Sequence, residues 1–215
     1  MSTPWVSKVE DSLRECISRA DEVLSRRDSV REELIKTGRE VVRVSGYVIT
    51  NIHAGRLSEA DASLGRLVEC FNRLREALKN QPCYEYSNLV IDYLSEYVEA
   101  VTFYNLTKNK KLVTPEELGV DHVPYIVGLL DLIGELKRYV LNLLSENLIN
   151  EAQEFFSVME VIYEHLHHLD YPDAILPNVR RRIDVARGVI ESLRTFIVDI
   201  RLRNRSRKES PTSQD

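Results

Sequence analysis

The chain has 215 residues, of which 43% are hydrophobic, with a formal net charge of −5 and a pI near 5.7. That apolar content is enough for one sizeable core. The acidic balance excludes a nucleic-acid binder that works through overall positive charge, so any basic surface has to be local. No glycine- or proline-rich linker divides the chain and no solenoid-type repeat occurs. We therefore expect a single domain over residues 1–215, with flexible tails at about 1–5 and 204–215. Cys16, Cys70 and Cys83 have no metal-type spacing, and their odd number without a secretory signal points to reduced thiols in a cytoplasmic protein. No apolar run reaches membrane-spanning length.

From Val6 to Ser25, apolar residues at Val9, Leu13, Ile17, Ala20 and Leu24 predict an amphipathic helix. Asp28 or Ser29 can cap a second helix to about His53, with a core face of Val30, Leu34, Val41 and Val44. One long helix over both stretches is equally compatible, because Arg26-Arg27-Asp28 forces no break. Arg31, Lys36, Arg39 and Arg43 decorate this segment as a solvated face or as a phosphate-contacting surface. Gly55 ends it and Ser58 caps the next helix, Leu57 to Lys79, which Asn80-Gln81-Pro82 stops.

The next helix, predicted from about Tyr84 to Asn105, carries Leu89, Tyr93, Tyr97 and Val101 at helical spacing. Glu96 and Glu99 are three apart, so two carboxylates stand side by side. Their repulsion becomes favourable only with a cation between them. Lys108-Asn109-Lys110-Lys111 reads as a basic loop, and Thr114-Pro115-Glu116-Glu117 as the capped start of a short helix closed by Gly119.

From Val123 to Ile133 the only charged residue is Asp131, the pattern of a buried helix, running on to Leu144 or beyond. Asp131 and Glu135 share one face, and a buried carboxylate has to be paired or bound to metal. Four carboxylates from two helices make a hard-cation site, suited to Mg²⁺ or Mn²⁺. The alternative from the residues alone is a buried ion network with arginines such as Arg138. Gly128 and Gly134 flank Asp131 and suggest close approach of a neighbouring helix, since each costs about 1 kcal/mol against Ala.

Leu148 to His168 is a further helix. Glu164 and His167 have the Glu-x-x-His spacing of di-iron bundles, but those need the motif on two helices and only one is present. A polar helix end is the simpler reading. After a proline-marked turn, Asn178 caps the last helix, to about Ile200 or Arg203. Arg180, Arg181 and Arg182 crowd its first turn against the helix dipole, so an anionic partner is expected there.

Ser95-Glu96-Tyr97-Val98-Glu99-Ala100-Val101-Thr102-Phe103, followed by Gly128-Leu129-Leu130-Asp131-Leu132-Ile133-Gly134-Glu135-Leu136-Lys137-Arg138, resembles the translin/TRAX family, and its TRAX (translin-associated factor X) branch more than translin. The similarity runs from about Arg31 through Ile200. It implies an all-α single-domain bundle of about seven helices, assembled into octameric shells that bind RNA or single-stranded DNA, with or without a translin-type partner subunit. It also implies a metal-dependent endoribonuclease centre on Glu96, Glu99 and Asp131, with Glu135 beside them as ligand, base or water-orienting acceptor. Translin-type subunits lack the first three acids. Resemblance places nucleic-acid contacts at Arg31, within Val30-Arg31-Glu32-Glu33-Leu34, and near Arg180 and Arg181. At Tyr84-Glu85-Tyr86-Ser87 the chain departs from translin's basic, histidine-containing run, which speaks against a translin-like RNA groove at that point. A non-cutting RNA-binding shell and a purely helical scaffold are the competing readings.

Overall fold

The computed structural model describes residues 4–79, 81, 84 and 87–209, with side chains as far as Leu202. Seven helices account for the regular structure among the described residues: α1 Pro4–His53, α2 Leu57–Leu78, α3 Asn88–Asn109, α4 Pro115–Leu118, α5 His122–Ser145, α6 Ile149–Leu166 and α7 Val179–Glu209. The all-α bundle of about seven helices that the resemblance implies is present.

The order of packing follows the apolar stripes. α1 and α2 form a hairpin through a turn at Gly55 (φ +68°), α3 lies against α1, α5 lies against α3, and α6 and α7 cover the far side of α5. The central pair, α3 and α5, is where the sequence is apolar nearly all round: Val98, Ala100, Phe103, Leu132, Ile133 and Leu136 have almost no exposed surface. Gly128 is what lets them approach. A Cβ there would lie 2.7 Å from the backbone oxygen of Ser95 and 2.8 Å from Val98. Gly134 has no such role, since a Cβ on it would meet nothing within 4 Å. The expectation of close approach therefore holds for one glycine and fails for the other. Gly38 adds a second close contact, with the Tyr93 ring of α3 in the space a side chain would fill.

Several ends follow local chemistry. Thr114 and Glu117 form a full capping box with Pro115 at the start of α4, and Gly119 closes it in the left-handed region (φ +68°). Ser87 caps α3, which begins four residues later than Tyr84. Residues 80, 82, 83, 85 and 86, including part of the Tyr84–Ser87 segment and Cys83, lie outside the described residues. Lys108 falls inside α3, bonded to Asp61 at 2.5 Å; Lys110 pairs with Glu151 at 3.1 Å and Lys111 with Glu117 at 2.5 Å. The basic segment is thus neutralised within the fold.

α1 is the single long helix that the absence of a break at Arg26-Arg27-Asp28 allows, with 50 residues starting at Pro4 rather than frayed there. Residues 4–29 are exposed throughout, so the stripe Val9, Leu13, Ile17 and Leu24 covers nothing within the chain. α7 likewise continues past residue 204 to Glu209; residues 210–215 lie outside the described residues. No helix among the described residues is long and apolar enough to cross a membrane.

Candidate metal and phosphate site

Three helical stripes converge on one open cavity of about 750 Å³. α1 contributes Gly46, Ile49 and Thr50; α3 contributes Asp92, Ser95, Glu96 and Glu99; α5 contributes Asp131, Glu135 and Arg138; Arg182 enters from the first turn of α7. Within each stripe the residues recur at three- and four-residue spacing, so each helix presents them on one face. The cavity brings together all four acids singled out above. It adds a fifth, Asp92, four before Glu96 and readable from that spacing.

The acids differ in environment. Glu99 is only 8% exposed. Burial, then the charges of Glu96, Asp131 and Glu135, push its carboxyl up to about 9, and Arg182 opposes them only in part. Glu96 is raised by burial first and then by Asp131, Asp92 and Glu135. Asp131 is also raised, because burial outweighs its ion pair with Arg182 and Asp92 adds to it. Glu135 goes the other way: the His53 imidazole, with Nε2 2.6 Å from its Oε2, holds it below the usual carboxylate range, helped by Arg138 at 4.0 Å. These directions describe a surplus of negative charge that the protein relieves by retaining protons.

His53 escaped the sequence reading, and Arg182, for which an anionic partner is expected, finds it in Asp131. His53 is the last residue of α1, and its imidazole is 3% exposed between Phe103 (ring centroids 5.0 Å apart) and Tyr139 (6.3 Å). Its partner is 82 residues away, and helical periodicity carries no signal across that distance. Arg182 was legible: three after buried Val179 and four before buried Ala186, it flanks the core stripe of α7. Its neighbours are placed differently. Arg180 is bonded to Asp170 at 2.6 Å in an exposed pair. Arg181 is exposed and lines a separate groove between α5 and α7. Arg31 is exposed on α1, about 22 Å along the helix axis from Gly46 at 1.5 Å per residue. Within one chain, neither Arg31 nor Arg180 joins the acids.

The donor set at the cavity is carboxylate oxygen, which fits a hard divalent cation. Among the described residues, no three His, Cys, Asp or Glu side chains are gathered closely enough to form a metal cage. Physical reasons are visible: Asp131 is turned onto Arg182 and Glu135 is turned onto His53. Of the two sequence readings, ion network and cation site, the geometry contains parts of both. Asp131 and Glu135 have cationic or hydrogen-bonding partners, while the carboxyls of Glu96 and Glu99 are raised by burial and by neighbouring negative charge.

Comparison with known proteins adds an independent line. The family model described as "Translin family" matches residues 29–204. An uncharacterised protein of Methanocaldococcus jannaschii is 32% identical over 185 residues, covering 84% of this chain and 82% of that protein. Translin-associated protein X of Mus musculus is 22% identical over 181 residues, 66% of this chain and 62% of that protein. Among solved structures, the AfC3PO–duplex RNA complex superposes with a TM-score of 0.77 at 32% identity, covering 89% of this chain and 97% of its own. Apo-NeC3PO, at 23% identity and a TM-score of 0.71, shares the fold. With most of its length matched by the family model and the fold shared, this chain belongs to the translin family.

Proposed function

We propose that the protein is a metal-dependent endoribonuclease that cleaves RNA inside a translin-type oligomer. The observation that carries this reading is the convergence of Glu96, Glu99, Asp131 and Glu135 in one cavity, where burial and mutual repulsion raise Glu96, Glu99 and Asp131. Perturbed carboxylates in a cleft mark functional sites more often than structural ones. Glu96, Glu99 and Asp131 would hold Mg²⁺ or Mn²⁺, with Glu135 as a further ligand or as the acceptor that orients water. Such a cation would supply charge neutralisation at the scissile phosphate and acidify water. Without it, the cluster repels phosphate.

In the reaction, a water oxygen bonds to phosphorus as the bond from phosphorus to one ribose oxygen breaks. Glu135, held ionised by His53, would take the water's proton. The leaving ribose oxygen has to receive a proton in turn. RNA as the partner is supported by AfC3PO, whose structure contains duplex RNA; single-stranded DNA would bind through the same phosphate chemistry. Arg31 and Arg181, both exposed, are our candidates for phosphate contacts contributed from around an assembled shell, with Arg180 beside them.

Assembly is supported by α1. The uncovered side chains Trp5, Val9, Leu13, Ile17 and Leu24 are each 46–67% exposed on one helix, an apolar stripe that a second copy would cover. A homo-octamer, or a shell shared with a translin-type subunit, fits this arrangement.

A second reading, an RNA-binding shell that does not cut, is favoured by the pairing of Asp131 with Arg182 and of Glu135 with His53. A circular single-stranded RNA separates the two. The nuclease linearises it in Mn²⁺ and not in EDTA; the binding shell retains it intact in both.

A further inference from the structure

We propose that Arg182 has two alternating partners: it is the counter-ion of Asp131 while the cavity holds no cation, and it becomes the clamp on the scissile phosphate once a cation takes Asp131. This rests on the nuclease reading above and adds a residue and an ordering of events to it.

Arg182 is the fourth residue of α7, where the helix dipole disfavours a cation. Its side chain is only 27% exposed. One donor, Nη1, meets Asp131 Oδ1, while Nε is buried with no hydrogen-bond partner. A guanidinium carries five N–H donors in a planar fork and is always charged. A buried charge with a donor unmet is costly in isolation. A group that brings several anionic oxygens to the same place removes that cost, and phosphate does so with matching bidentate geometry.

Position singles it out from the other arginines. Arg182 lines the same cavity as the acids from the first turn of α7, and its charge acts on Glu96, Glu99 and Asp131. Arg138, the other arginine of the cavity, is 59% exposed and 4.0 Å from Glu135. Arg180 is committed to Asp170.

Cation and guanidinium compete for Asp131, and they repel each other across the cavity. With a dication held by the carboxylates, Asp131 would no longer be bound to Arg182, and the Arg182 fork would be free at the cavity wall. RNA phosphate then meets both positive groups at once. Metal first and substrate second is the order this arrangement favours, because before the exchange the fork is occupied and the carboxylates are uncompensated.

The consequence is a pair of opposite effects that a merely structural arginine would not produce. Arg182→Gln removes the competitor, so Mn²⁺ affinity, read by titration calorimetry on the full chain, rises by about tenfold. Single-turnover cleavage of a short labelled RNA at saturating Mn²⁺ falls by about a hundredfold or more, the usual loss for one preorganised donor to a developing anion. Arg182→Lys keeps the charge without the fork. It retains Mn²⁺ affinity near that of wild type, and cleavage falls by about tenfold. The lysine variant decides the matter if the glutamine variant fails to fold. Tighter Mn²⁺ binding with slower cleavage in Arg182→Gln, and slowed cleavage in Arg182→Lys, supports the proposal. Weaker Mn²⁺ binding in Arg182→Gln, or wild-type cleavage by either variant, overturns it while leaving the nuclease reading standing. A wild-type protein that takes up no Mn²⁺ and cuts no RNA overturns both.

Discussion

Glu99 offers a direct test of the cavity's electrostatics. In the unfolded chain its carboxyl titrates near the ordinary 4.5; in the fold it is pushed up to about 9 by burial and by Glu96, Asp131 and Glu135. Below pH 4.5 both states hold the proton and the group is neutral towards stability. As pH rises above that, the unfolded chain releases the proton and the folded chain does not, so stability is lost progressively until the folded carboxyl itself ionises near pH 9. At about 1.4 kcal/mol per pH unit, the penalty reaches roughly 3 kcal/mol at neutral pH. Glu99→Gln removes it at constant shape. In EDTA at pH 7 the variant should melt higher than wild type, by up to about 10 °C on the scale of a domain this size. The gap should close as pH falls towards 4.5. In Mn²⁺ the order should move the other way, because the wild type gains a bound cation and the variant loses a ligand. Differential scanning calorimetry in EDTA and in Mn²⁺, from pH 4.5 to 8.5, reads all of this. A variant that melts lower than wild type in EDTA at neutral pH would refute the electrostatic account of the site.

Further predictions concern packing and support. Gly128→Ala should lower stability by about 1–3 kcal/mol, since the Ser95 carbonyl 2.7 Å from the new Cβ is backbone that cannot step aside. Gly134→Ala, facing open space, should raise stability by up to about 1 kcal/mol; urea unfolding of the pair checks both signs. His53→Ala should cost about 2–4 kcal/mol, through the lost bond to Glu135 and the space left between Phe103 and Tyr139. It should also weaken Mn²⁺ binding, measurable by calorimetry. Leu13→Glu, on the uncovered stripe of α1, should leave circular dichroism unchanged and reduce the mass of the assembly in light scattering.

The legible parts of the sequence were those written in local chemistry. The cap at Thr114, the apolar run around Asp131 and the three-residue spacing of Glu96 and Glu99 each depend on neighbours within a turn or two, and all appear in the fold as read. Periodicity shows that a stripe exists without showing what covers it. Val9, Leu13 and Ile17 repeat as regularly as Val41, Val44 and Val48, yet the first set is bare and the second is buried. The same limit explains Gly134, whose spacing from Asp131 resembles that of Gly128 but where a Cβ would meet nothing within 4 Å. Contacts across long separations were beyond reach. Glu135 finds His53 and Asp131 finds Arg182 only because α1 and α7 are laid beside α5 by the core. Arg182 flanks a buried stripe, which helical counting does contain, and that flank separates it from Arg180 and Arg181.

The central claim is that the convergent acids cut RNA with the help of a divalent cation. The most direct measurement is cleavage of a short labelled single-stranded RNA by the purified protein in Mg²⁺, in Mn²⁺ and in EDTA, with Asp131→Asn alongside and its helicity checked by circular dichroism. The account predicts cleavage that requires metal and falls by more than about a hundredfold in the folded variant. Cleavage unaffected by the substitution, or RNA bound and left intact in either metal, would contradict it.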